Sequence, residues 1–129
     1  MGLRLALCAV LVPDYDPAIC FFTETLGLDL LEDNDLDGGK RWVRVGHKTG
    51  GTEFLIARAV GDQRAAIGQQ GGGRVWLFLH TDDFARDHAH FIAQGIEFEE
   101  SPRHEPYGTV AVFRDPWGNR WDLIEPTRQ

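Results

Sequence analysis

The chain has 129 residues, 43% of them hydrophobic and 26% charged, the size and composition of one globular domain around one core. No stretch approaches the roughly 18 to 20 consecutive apolar residues of a membrane-spanning helix, and 20 acidic against 13 basic residues give a net charge of −7, the wrong sign for counterion release from a nucleic-acid backbone. Neither a membrane nor a nucleic acid is expected as a partner, and two cysteines, Cys8 and Cys20, outside any zinc-ligand or disulfide-scaffold spacing point to a reducing cytoplasm.

The first segment, LRLALCAVLV, alternates as a strand and runs into patterned sequence with no small-residue cleavage site, so it is not read as a leader. Asp14 to Leu26 follows with apolar residues at helical spacing (Tyr15, Ala18, Ile19, Phe22 and Leu26) after an acidic start, and stops at Gly27. Three more strands are expected from LDLLEDNDL, KRWVRVG and GTEFLIA. Residues 59–73, with a run of three glycines, have no period and read as a linker. GRVWLFLHTD then alternates again, Asp83 to Gln94 is helical and stops at Gly95, and IEFEES, GTVAVFRD and NRWDLIE read as strands. The order is βαβββ twice, an α+β fold with module one at about 1–58 and module two at about 74–129.

The halves superpose as a repeat. Gly27 and Gly95 are offset by 68 residues, whereas the helix starts Asp14 and Asp83, and the acids Glu53 and Asp122, are offset by 69, so the second helix is one residue shorter. On that register Leu7 falls opposite Trp76. Strand alternation puts Leu7, Ala9 and Leu11 on one face, and likewise Glu53 with Leu55 and Ala57, Trp76 with Phe78 and His80, and Arg120 with Asp122 and Ile124. A helix covering one side of each curved sheet leaves the other as the concave side, where a cavity and its chemistry are expected.

Two segments, DYDPAICFFTETLGLDLLE and FRDPWGNRWDLIEP, resemble the vicinal oxygen chelate superfamily, which includes glyoxalase I, bleomycin-resistance proteins and extradiol dioxygenases. The resemblance extends over nearly the whole chain. It implies two βαβββ modules forming a curved mixed sheet around a cavity, often a homodimer, and a divalent metal held by one residue from the first and one from the fourth strand of each module. The fourth-strand positions fall on Glu53 and Asp122, oxygen donors suited to Mn, Fe, Zn, Ni or Mg. The first-strand positions fall on Leu7 and Trp76, which donate nothing. Half of the implied ligand set is missing, and no cofactor is firmly implied.

Each candidate has a plainer reading beside the functional one. Glu53 is a cavity-facing base or metal ligand, or a solvated strand end. Asp122 is a ligand-binding acid, or half of an ion pair with Arg120. His80 is a proton donor or base, or a strand-end residue bonded to a neighbouring carboxylate. At ~13 Å along the strand from Trp76 it is too far to supply the missing metal donor. Trp76 and Phe78 would form an aromatic wall against an organic ligand. Arg103 and Tyr107, in the Pro-bounded turn SPRHEPYGTV, are expected at the cavity mouth, whereas His104 reads as an ordinary turn residue. The acidic run from Asp29 to Asp37 lacks the spacing of a calcium loop and reads as a solvated edge.

Two functions remain open. One is metal-free binding of a small organic molecule, of the bleomycin-resistance kind, with Trp76, Phe78, Arg103, Tyr107, Arg120 and Asp122 around it. The other is a metal-dependent lyase, isomerase or dioxygenase-like enzyme resembling glyoxalase I, with Glu53 as base or ligand, Asp122 its partner, and His80 or Tyr107 as proton donor.

Overall fold

A computed structural model describes residues 2–128 of the chain. They divide into two compact units, one running to Ile67 and the other beginning at Gly68. Among the described residues no helix is long and apolar enough to cross a membrane.

The first unit contains β1 (Leu7–Val12), α1 (Tyr15–Cys20), β2 (Asp29–Asp35), β3 (Arg41–Gly46) and β4 (Glu53–Arg58). Its sheet runs β1-β4-β3-β2, with β1 parallel to β4 and the other pairs antiparallel. Val10, Val12, Val43, Val45, Phe54 and Ile56 point to the helix side and are buried. Phe22 meets Phe54 there at 5.6 Å between ring centroids. Full burial of each such side chain contributes about 1.5–3 kcal/mol. The alternate residues Leu7, Ala9, Leu11, Leu55 and Ala57 face the other way, as the alternation predicts.

The first helix departs from the expected single α-helix. Asp14 caps it, its carboxylate accepting from the Tyr15 N–H at 2.8 Å. After Cys20 the chain widens into a π-helical turn, Phe21–Thr25, in which the Leu26 N–H donates to the Phe21 carbonyl five residues back at 3.1 Å. That wider turn absorbs the residue by which the first helical segment exceeds the second. Gly27, at φ 73°, then ends the helix in the left-handed conformation.

The second unit contains β5 (Val75–His80), α2 (Phe84–Ala93), β6 (Arg103–Glu105), β7 (Gly108–Arg114) and β8 (Arg120–Pro126). Its sheet order β5-β8-β7-β6 repeats the first, with β5 parallel to β8. Phe91 of α2 packs on Phe113 at 5.2 Å, and Phe113 stacks on Trp121 at 5.9 Å, which marks the helix side. Glu125, two strand steps beyond Leu123 on that side, accepts the first N–H of α2 from Phe84 at 2.7 Å.

The DPWGN turn explains itself as architecture. One oxygen of buried Asp115 accepts the N–H groups of Trp117, Gly118 and Asn119, and the other accepts from the Asn119 amide and the Trp121 indole. Asn119 in turn accepts the Gln70 N–H at 3.1 Å. A buried carboxylate holding five donors fixes the hairpin between β7 and β8.

Three expectations need correction. The first strand starts at Leu7, and Leu3 and Leu5 before it are exposed rather than alternating in a sheet. IEFEES forms no regular strand: Phe98 makes an isolated bridge to Phe113, while the Glu100 carboxylate takes the Val112 N–H at 2.9 Å that a ladder carbonyl would otherwise accept. The second strand of module two lies instead at Arg103–Glu105, inside the segment expected to be a turn. Residues 59–73 are also not wholly irregular, because Gly61–Ala66 forms a 3₁₀ turn whose start is closed by the Gln63 side chain accepting the Val60 N–H.

Candidate functional site

The faces opposite the helices carry the candidate residues. In the first unit Glu53 sits beside Leu7 across the parallel β1–β4 pairing, so the predicted juxtaposition of first- and fourth-strand positions holds there. Glu53 forms an ion pair with Arg44, whose guanidinium also binds Glu32 at 2.8 Å. On its other side Gly46 leaves room for it, since a Cβ there would lie 3.0 Å from the Glu53 Cγ. Glu53 is thus a held carboxylate between an aliphatic chain and an arginine.

In the second unit the register differs from the repeat count. A bulge between Val75 and Leu77 shifts β5, so that Phe78, not Trp76, stands beside Asp122. Trp76 meets the Trp121 indole edge-on at 6.0 Å, and because Trp121 belongs to the helix side, Trp76 does too. The expected wall of Trp76 and Phe78 on one face does not form. Phe78 remains on the open face, 59% exposed, with His80 two residues on beside Ile124. His80 is exposed and makes no hydrogen bond to a carboxylate among the described residues; the neighbouring Asp87 is taken by the Thr81 hydroxyl.

Asp122 is only 8% exposed, flanked by Phe78 on β5 and Val112 on β7. Its Oδ1 is the one buried side-chain oxygen or nitrogen without a hydrogen-bond partner among the described residues. Arg120, the expected ion-pair partner, instead binds Glu99 at 2.8 Å and the Gly73 carbonyl at 3.1 Å. Burial holds the Asp122 carboxyl above the usual carboxylate range; the charge of Arg103 pulls against that shift and Glu100 adds to it. Arg103 is engaged by Glu100 and Glu105 at 2.8 and 2.9 Å, and Tyr107, after it, is exposed.

The donor set does not fit the implied metal. Each acid has an apolar strand neighbour, Leu7 for Glu53 and Phe78 for Asp122, and Trp76, on which the resemblance sets the second module's first-strand position, has no donor to offer either. Glu53 is neutralised by Arg44, and no group of three or more His, Cys, Asp or Glu side chains among the described residues is placed to share an ion.

Sequence reasoning missed a concavity of the first unit. A groove of about 670 Å³ opens at the end of the β1–β4 pairing, floored by Ala9, Leu11, Leu55 and Ala57 and walled by Trp42. Tyr15 stands at its end with the guanidinium carbons of Arg41 and Arg58 at 5.1 and 5.5 Å from its ring centroid. The available signal was the small residues Ala9 and Ala57 at diagonal positions of the open face, where a sheet facing water has no need of them.

A family model described as the Glyoxalase/Bleomycin resistance protein/Dioxygenase superfamily matches residues 4–123. A protein of Shewanella frigidimarina, described only as uncharacterized, is 48% identical over 91% of this chain and 89% of its own. Among solved structures, UcmS2 is 29% identical with a TM-score of 0.79, covering 97% of this chain and 99% of that one. TnmS3, an antibiotic binding protein from Streptomyces sp. CB03234, is 30% identical with a TM-score of 0.72, covering 98% and 99%. With the paired βαβββ topology and a match over nearly its whole length, the chain belongs to the glyoxalase/bleomycin resistance protein/dioxygenase superfamily.

Proposed function

We propose that this protein binds a small organic molecule on the open faces of its sheets without a metal ion. The observation that carries the reading is the pairing of each fourth-strand acid with an apolar neighbour, Leu7 and Phe78, together with a ligand-sized, largely apolar groove on the first unit. Family membership and the 30% identity to an antibiotic binding protein support it. On the second unit's open face Phe78 offers an aromatic surface, Asp122 a desolvated carboxyl able to hydrogen-bond a ligand, and Arg103, Tyr107 and Arg120 polar contacts around it. His80 lies at the far end of that face as a further donor. Glu53 and Trp76 act in this reading as packing and charge-balancing groups. A homodimer, implied by the family, belongs to the same reading, and sedimentation velocity tests it directly.

The test is titration with the neutral probe N-phenylnaphthylamine, whose emission rises in an apolar site, against the wild type and Ala57→Phe, which fills the groove floor. Binding to the wild type, weakened about tenfold in Ala57→Phe, is expected. An absence of binding, or equal binding to both with circular dichroism unchanged, overturns the reading for the groove.

A further inference from the structure

The groove of the first unit has a charge that the rest of the chain does not share. The protein carries 20 acidic against 13 basic residues, yet the charged residues lining the groove are Lys40, Arg41 and Arg58, with no carboxylate among them. Arg41 is spoken for, since Asp16 and Asp33 bind its guanidinium at 2.8 and 2.7 Å. Arg58 is different. It is half-buried and lies against the Tyr15 ring and the Gly39 backbone, where a Cβ would come within 3.2 Å of its Nη2, and it has no ion pair among the described residues. Lys40 is exposed on the same rim and is likewise unpaired there. The other arginines of the β-strands and of α2 each bind at least one carboxylate: Arg41, Arg44, Arg86, Arg103, Arg114 and Arg120.

We infer that the groove takes an anionic aromatic or polycyclic molecule, its planar body on Ala9, Leu11, Leu55, Ala57 and Trp42 and its carboxylate, sulfonate or phenolate against Arg58 with Lys40. This rests on the small-molecule reading above and adds the charge of the ligand. A guanidinium kept at the end of an apolar groove and out of the protein's own ion-pair network is a fork left for an external oxyanion. The Tyr15 ring beneath its guanidinium carbon holds it in place, and Gly39 gives it room to lie there because that residue carries no side chain. In a chain of net charge −7, long-range electrostatics repel anions, so selectivity for one has to come from this local arrangement.

The experiment compares two probes of nearly the same aromatic body, anilinonaphthalene sulfonate and neutral N-phenylnaphthylamine, on the wild type, Arg58→Gln, Arg58→Lys and Lys40→Gln. The sulfonate is expected to bind about tenfold more tightly than the neutral probe, and Arg58→Gln to remove that difference while leaving the neutral probe's affinity unchanged. Arg58→Lys should retain part of the preference, because it keeps the charge and loses the planar fork. Added salt should weaken the sulfonate alone. Equal affinity of the two probes for the wild type, or a sulfonate preference that survives both Arg58→Gln and Lys40→Gln, overturns the inference and leaves small-molecule binding standing. Binding of neither probe overturns the binding reading together with it. Lys40→Gln alters only an exposed side chain, so it reports on the rim even if the Arg58 variants fold poorly.

Discussion

Phe78 stands directly beside Asp122 in the parallel β5–β8 pairing, as Leu7 stands beside Glu53 in the β1–β4 pairing of the first unit. The consequence is chemical as well as geometric. A carboxyl with an aromatic ring on one side and Val112 on the other can hydrogen-bond a ligand, but it has no partner with which to close around an ion.

Restoring donors at the observed register should therefore restore metal binding. Residues 78, 122 and 112 are neighbours on three adjacent strands, about 5 Å apart, so imidazoles at the outer two can converge above the central carboxylate. The double variant Phe78→His/Val112→His is expected to gain a rise of several degrees in melting temperature with millimolar zinc. Trp76→His/Val112→His should gain none, because position 76 lies on the Trp121 side. A zinc response in the second variant and not the first would show the β5 register to be wrong.

Asp122 should also reveal itself through pH. Its folded carboxyl is held above its unfolded value by burial, so the fold favours the protonated form, and stability falls as pH rises from the unfolded value through the folded one. Above that window the ionised group is a net loss. Asp122→Asn is expected to raise the melting temperature at pH 8 by a few degrees and to change it little at pH 4, measured by differential scanning calorimetry. A variant less stable than the wild type at pH 8 would mean that Oδ1 has a partner in solution.

Much of this arrangement was legible from residue pattern alone. The two βαβββ modules, the glycine helix stops and the open-face set Leu7, Ala9, Leu11, Glu53, Leu55 and Ala57 follow from periodicity, which depends on local alternation and burial. What escaped depends on single-residue insertions. The bulge near Trp76 reverses the face of one aromatic, and the π-helical turn at Phe21–Thr25 hides one residue inside a helix, and neither changes the hydrophobic period enough to be read. The same holds for ion pairs. Arg120 was the obvious partner for Asp122 by strand spacing, but Glu99 arrives from a distant segment and takes it. The groove escaped because its floor combines Ala9 and Leu11 of β1 with Leu55 and Ala57 of β4, strands far apart in sequence, and its rim adds the side chains of Lys40 and Arg58.

Arg44 joins Glu32 and Glu53 across three strands, and its removal should be felt most near neutral pH. The Arg44 hydrogen bond holds the Glu32 carboxyl below the usual range, so that contribution is present above the unfolded value and is lost as pH falls through the folded one. Arg44→Gln is expected to lower the melting temperature at pH 7 and to shrink the difference between pH 7 and pH 3. An unchanged difference would place the acid sensitivity of the fold elsewhere.

Gly68, the first residue of the second unit, is the position least able to accept a side chain. Its φ of 75° lies in the left-handed region, and a Cβ there would sit 2.0 Å from the Trp117 carbonyl oxygen. That contact has no flexible end that could yield, because the obstacle is backbone in the turn that Asp115 anchors with its array of hydrogen bonds. Gly68→Ala should therefore combine the strain of a positive φ with displacement of the DPWGN turn, costing about 2–4 kcal/mol in urea unfolding. Gly72→Ala is the control: its φ of 63° is similar, but open space surrounds the added methyl, so it should cost no more than about 1–2 kcal/mol. Equal losses at the two positions would assign the whole effect to backbone conformation and none to the close approach of Gly68 and Trp117.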